Sequence, residues 1–225
     1  GILVLEKILM HEELKRLVKR LIYRNYVHLF WSKAKTPNWG DSLNPVLCSL
    51  IAGKECRFAS DQNSEKYLAI GSIMAYADSR SEVWGSGFIS AKDSVITPPK
   101  VIHAVRGPLT RERLNKMGID CPEIYGDPAL LISRYAPKNQ SAERRYRLGI
   151  IPHYSDRAAP ALLRYSHDPA CLIIDVTQGI WDFVANVRKC DMIYSSSLHG
   201  LICADAFGIP SVWVEFSDNV IGDGF

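Results

Sequence analysis

The sequence predicts an α/β fold built on parallel sheets in two units. Three observations predict it. Short apolar runs recur along the chain with helical patterns between them, the runs are continuous instead of alternating with polar residues, and one polar stretch divides the series. With 225 residues, 47% hydrophobic against 23% charged, the chain has the make-up of one large or two small globular domains and not of a disordered segment.

Residues 2–24 open the chain. Leu14, Leu17, Val18, Leu21 and Ile22 repeat at helical spacing, with Lys15, Arg16, Lys19, Arg20 and Arg24 on the other side. The spacing predicts a basic amphipathic helix over 1–25, which either packs on its own domain with a solvated face or lies against an anionic membrane surface. Strands are then expected at Tyr26–Phe30, Tyr67–Ile70, Glu82–Trp84, Val101–Val105, Leu148–Ile151, Leu172–Val176, Met192–Tyr194 and Val212–Val214, with helices between them. An N-terminal domain over 26–135 and a C-terminal domain over 148–225 are joined by a linker at 136–147, which is polar, charged and carries Pro137. The second domain is expected to be incomplete. After Val212–Val214 the chain runs through Ser217-Asp218-Asn219 to Phe225, where a doubly wound unit needs further elements.

Several function classes fall away. A net charge of +3 is too mild to announce nucleic acid. The six cysteines are scattered without a CxxC pair, so they read as buried thiols in a reducing compartment and not as zinc ligands. No apolar stretch is long enough to span a bilayer, and no segment has the order of a secretory signal. There is no GxxxxGK[ST], GxSxG or HExxH and no acidic cluster for a metal. Gly85-Ser86-Gly87 does not extend to GxGxxG, because position 90 is Ser90.

Open α/β sheets bind ligands beyond the carboxyl ends of their strands, where helices begin, so the informative positions are strand-to-helix junctions. Asn38-Trp39-Gly40-Asp41 follows the first strand, with Asn44-Pro45 as a cap and first-turn proline and Gly53 as a helix stop. Asp41 either holds an acceptor hydroxyl or only organises the turn. Gly71-Ser72 and Gly85-Ser86-Gly87 let backbone approach a ligand, or pack tightly. Arg106 stands just before a helix opened by Pro108 and closed by Gly118, where a guanidinium beside free N–H groups cradles a carboxylate or phosphate; an ion pair with Glu112 or Asp127 is the alternative. In Gly126-Asp127-Pro128, Asp127 reads chiefly as a helix N-cap. Ser195-Ser196-Ser197-Leu198-His199-Gly200 opens a helix that Gly208 and Pro210 end. His199 falls in its first turn, where the dipole disfavours an imidazolium until a multiply charged anion binds and makes it a proton donor. The alternative is a neutral, packed histidine. His153 follows a strand of the second unit and is placed to face the same cleft, whereas His28 and His103 lie within strands.

Taken in order, Asn38-Trp39-Gly40-Asp41, Gly71-Ser72, Gly85-Ser86-Gly87, Arg106-Gly107-Pro108, Gly126-Asp127-Pro128, Ile151-Pro152-His153-Tyr154 and Ser196-Ser197-Leu198-His199-Gly200, followed by Ala206-Phe207-Gly208-Ile209-Pro210, resemble the polysaccharide pyruvyltransferase family. The resemblance covers about residues 36–216. It implies two Rossmann-like halves facing a cleft, similar to the GT-B glycosyltransferases, and transfer of the pyruvyl group of phosphoenolpyruvate onto two hydroxyls of a sugar as a ketal, with phosphate released. It further implies a lipid-linked or glycoside saccharide acceptor in exopolysaccharide or cell-wall glycan synthesis. The expected location is the cytoplasm or the cytoplasmic face of the membrane, with no cofactor and no metal. On it, His199 and Asp41 are catalytic. Arg106, Gly107, Ser196, Ser197, Leu198, Gly71 and Ser72 bind the donor, and Asn38, Trp39, Asp127 and His153 the acceptor. Some members carry arginine two residues before the histidine, where this chain has Ser197, so Arg106 bears more of the donor's charge. The rival expectations are a nucleotide-sugar glycosyltransferase on the same fold and a catalytically inactive sugar- or anion-binding module.

Overall fold

A computed structural model describes residues 25–36, 38–59, 64–137, 143–218 and 220. The basic helix expected over 1–25 lies almost wholly outside the described residues, as does the centre of the linker at 136–147.

The described residues form two all-parallel sheets. The first comprises β1 (Tyr26–Phe30), β2 (Glu55–Phe58), β3 (Lys66–Leu68), β4 (Ser81–Trp84) and β5 (Val101–Ala104), in the order β2-β1-β3-β4-β5. The second comprises β6 (Tyr146–Ile151), β7 (Cys171–Ile173), β8 (Cys190–Ser195) and β9 (Ser211–Trp213), in the order β7-β6-β8-β9. In both, the strand order reverses after the first strand. The crevice at such a reversal, between β1 and β3 and between β6 and β8, is where doubly wound sheets bind ligands.

All eight strands predicted from the apolar runs are present within a residue or three. The sequence reading missed β2. Its four residues Glu-Cys-Arg-Phe alternate exposed and half-buried at the sheet edge, so they carry no apolar run. Helices between strands are fewer than expected. α1 (Trp39–Ala52) joins β1 to β2, but β3 reaches β4 through a 3-10 turn at Met74–Tyr76, and β4 reaches β5 through an irregular loop. α2 (Pro108–Lys116) follows β5. A 3-10 turn at Pro128–Leu131 then runs into the one-turn α3 (Ile132–Tyr135). In the second half, α4 (Leu163–Ser166) precedes β7, α5 (Ile180–Arg188) precedes β8 and α6 (Leu198–Ala206) precedes β9.

The start of α1 differs from the expectation in an instructive way. Asn38, not Asn44, is the N-cap: its side-chain oxygen accepts from the Asp41 N–H at 3.1 Å, while its amide donates to the Asp41 carboxylate at 2.9 Å. Pro45 therefore lies inside the helix. Asn44, fully buried, clamps the end of β3 instead, donating to the Ile70 carbonyl at 2.7 Å and accepting from the Ile70 N–H at 3.2 Å.

One apolar cluster of the core is shared between the halves. Trp39 stacks on Phe183 of α5 at 5.0 Å, its indole donates to the Ile180 carbonyl at 3.2 Å, and its backbone N–H donates to Val176 at 2.7 Å. Leu43, Leu47, Ile70, Ala129 and Ile132 join Ile151, Val184, Ile193 and Cys203 in one apolar cluster. This packing brings the carboxyl ends of the two sheets together.

Candidate active site

A cavity of about 450 Å³ opens where those sheet ends meet. Ser32 and Ala34 after β1, Asn38 and Asp41 at the start of α1, and Ser72 and Tyr76 after β3 form one wall. His153, Tyr154 and Ser155 after β6 and Ser196 to His199 after β8 form the other.

The three serines before α6 are not equivalent. The Ser195 hydroxyl, fully buried, lies 3.0 Å from the Ile151 carbonyl and 2.7 Å from that of Ser197, and accepts from the Ser197 N–H. The Ser196 hydroxyl donates to the buried carboxylate of Asp156 and accepts from the His153 N–H at 2.9 Å. A hydroxyl has one hydrogen to give, so neither offers a donor to an anion. Ser197 is the N-cap of α6, makes no side-chain cap bond and lines the cavity. Its hydroxyl and the first-turn N–H groups of α6 stand at one end of the cavity, and a helix start of this kind is suited to an anion.

His199 is held tightly. It is 8% exposed, and its ring rests on Gly40, where a Cβ would come within 2.3 Å of Nδ1. The edge of the ring meets Trp39, with centroids 6.5 Å apart, and its Nε2 lies 3.6 Å from Asp127 Oδ2. Only glycine at position 40 admits the imidazole this close to α1. Asp41, also nearly buried, has its pKa pushed up by burial, opposed by the His199 charge, the Ser32 hydroxyl and the Asn38 backbone. Burial pulls the His153 pKa down, and the neighbouring Asp156 carboxylate partly reverses this.

The structure thus brings Asn38, Asp41, Ser72, His153, Ser196, Ser197, Leu198 and His199 onto one cavity. The other expected residues stand elsewhere. Arg106 backs the wall: Nη1 donates to Ser72 Oγ at 2.9 Å and Nη2 to the Phe88 carbonyl at 2.8 Å. Burial lowers its pKa, with Asp127 opposing, and a guanidinium remains charged throughout. Gly71 lies against Asp41, 3.6 Å from its Oδ1 to a Cβ built on the glycine, and its carbonyl is held by the Ser86 hydroxyl. Gly107 only caps α2. Trp39, expected at the acceptor, is 0% exposed, because its ring belongs to the shared core. Asp127, also expected there, is 4% exposed; it caps the Pro128 turn through the Ala129 N–H at 2.9 Å and lies beneath His199.

Sequence reasoning missed Ser32, Tyr76, Tyr154 and Asp156. Ser32 and Tyr154 follow the carboxyl ends of predicted strands, and that position was a usable signal. Asp156 stands three residues after His153, a capping spacing. Tyr76 sits in a turn with no signal of its own. Among the described residues, no group of three or more His, Cys, Asp or Glu is arranged to hold a metal ion, and no helix is long and apolar enough to cross a membrane.

The chain is thus a doubly wound α/β protein in which a helix start headed by serine and a buried histidine stand at facing sheet ends, where such folds hold their ligands. The polysaccharide pyruvyl transferase family model matches residues 83–218, and the chain belongs to that family. An uncharacterized protein of Acanthamoeba polyphaga mimivirus is 32% identical over 197 residues, covering 85% of this chain and 67% of the relative. The succinoglycan biosynthesis protein ExoV of Rhizobium meliloti is 27% identical over 199 residues, covering 85% of this chain and 60% of the relative. The chain therefore spans about two thirds or less of the length of these curated relatives. No solved structure matches it.

Proposed function

We propose that this chain transfers the pyruvyl group of phosphoenolpyruvate to two hydroxyls of a sugar, forming a ketal and releasing phosphate. The observation that carries the reading is His199, buried in the first turn of α6, on the same cavity as Ser197, the N-cap of that helix. The donor's phosphate and carboxylate bind the α6 N-terminus and Ser197, with Arg106 supplying positive charge through the wall it shares with Ser72. His199 protonates the methylene carbon of the enol, and the central carbon becomes cationic. One sugar hydroxyl adds to that carbon, and the second closes the ketal as phosphate leaves, taking that second hydroxyl's proton with it. Asp41, whose pKa is raised towards a base's working range, takes the hydroxyl proton, while Asn38 and His153 orient the acceptor.

The family and the succinoglycan relative support a polysaccharide or its glycoside or lipid-linked precursor as acceptor. A cytoplasmic site of action, where phosphoenolpyruvate is made, and a GT-B-like pairing of the halves belong to the same proposal, which needs no cofactor or resident metal.

The test is to incubate the protein with phosphoenolpyruvate and a panel of galactosides and mannosides, following phosphate release and the mass of the sugar. A ketal product with equimolar phosphate is expected, and His199→Ala lowers kcat by about 10²–10⁴-fold. Turnover of a nucleotide sugar instead, or glycan binding with no phosphate release, overturns the reading.

A further inference from the structure

Two buried polar atoms face each other beneath the cavity. His199 Nε2 and Asp127 Oδ2 are 3.6 Å apart on side chains 10% and 2% exposed, and neither has a hydrogen-bond partner among the described residues. Buried polar atoms without partners are rare and call for an explanation.

The surrounding chain holds both groups in place. His199 rests on Gly40, as described above. The Asp127 turn is pressed in through Gly85, where a Cβ would fall 2.4 Å from the Pro128 ring and 2.5 Å from the Gly126 carbonyl. Asp127 Oδ1 is anchored by the Ala129 N–H, which aims Oδ2 at the imidazole. Three glycine- or proline-bearing motifs of the sequence, Asn-Trp-Gly-Asp, Gly-Ser-Gly and Gly-Asp-Pro, thereby converge on one imidazole–carboxylate pair. The other carboxylate near His199, Asp41, lies on the cavity wall and is bound by Asn38, so it is left for the acceptor.

We infer that Asp127 is the positioning residue of His199. Its Oδ2 accepts from Nε2–H, fixes the tautomer and leaves Nδ1 as the nitrogen that exchanges a proton with the substrate. The present gap is a few tenths of an ångström beyond a hydrogen bond, and such distances tighten when a site is filled. When Nδ1 also gains a proton, the carboxylate balances the imidazolium. What that proton does rests on the function proposed above; the pairing itself rests on the geometry alone.

The substitution Asp127→Asn tests it. With the amide oxygen kept on the Ala129 N–H, the side chain turns an NH₂ towards Nε2, which must then accept, and the proton moves to Nδ1. Nitrogen-15 spectra of histidine-labelled protein, taken where the ring is neutral, are expected to show Nε2–H in the wild type and Nδ1–H in the variant. In turnover, kcat falls by about 10²–10⁴-fold while KM for phosphoenolpyruvate changes by less than about threefold. Asp127→Ser retains an N-capping oxygen without the carboxylate and serves if the amide variant folds poorly; it should give mixed tautomers. A wild-type ring protonated on Nδ1, or one tautomer in all three proteins, overturns the inference. Absence of pyruvyl transfer by the wild type would sink the proposed function and leave the tautomer spectra to decide the pairing.

Discussion

At the scale of the residue, the site depends on which groups have already used their hydrogen bonds. Ser195, Ser196 and Ser197 look alike in the sequence, yet the first two have given their hydrogen to neighbours, and of the two on the cavity only Ser197 still has one to offer. No pattern rule could separate them, because the partners Ile151 and Asp156 come from a different strand connection. Asp41 shows the same dependence in its charge. Burial raises its pKa above the ordinary value of 3.8, so the folded chain keeps this proton to higher pH than the unfolded chain does. Its contribution to stability is then fully present below that value and is lost as pH rises through the raised pKa. Asp41→Asn should therefore melt at a higher temperature than the wild type at pH 7, with the difference shrinking towards pH 4. A gain that is the same at both pH values would sink this account. Under the proposed function the same variant should also lose turnover, because it lacks the carboxylate assigned as base.

At the scale of the element, the strands were legible because a buried parallel strand must be apolar along its whole length. β2 was not legible, because an edge strand is free of that demand. Helix ends were legible where one residue type has one conformational use: Gly53, Gly118 and Gly208 adopt positive φ at 62°, 74° and 64°, as expected at helix stops. The start of α1 was misplaced because Asn44-Pro45 has the form of a cap, whereas Asn44 is drawn across to Ile70 by the sheet. That clamp fixes where β3 ends and hence where Ser72 stands. Replacing Asn44 with Ala leaves a buried N–H and carbonyl unpaired and should cost about 1–3 kcal/mol for each. Chemical denaturation measures the loss. A matching rise in KM for the donor, through Ser72 and Arg106, distinguishes a displaced wall from a merely weaker fold.

At the scale of the whole molecule, the two sheets are joined through Trp39 and its cluster, so the cleft is a consequence of the core. Trp39→Ala removes a fully buried indole and should destabilise by about 3–5 kcal/mol. The wild type should unfold in one transition, with circular dichroism and tryptophan fluorescence coinciding in urea. Two separated transitions would refute a shared core. The family resemblance placed Trp39 at the acceptor together with its neighbour Asn38. Adjacent helical residues point in different directions, however, and Asn38 and Asp41 face the cavity while Trp39 faces α5.

By itself, the sequence determined the α/β class with parallel sheets, eight of the nine strands among the described residues and most of the junctions that line the cavity, because these follow from local periodicity, from turn stereochemistry and from the rule that ligands gather at the carboxyl ends of parallel strands. Only the tertiary structure decided which polar groups at those junctions reach the cavity and which lie beneath it. A side chain's partner is set by the packing of distant segments. The nearness of His199 to Asp127, 72 positions apart in the chain, arises only once α6 has settled against the turn at Pro128.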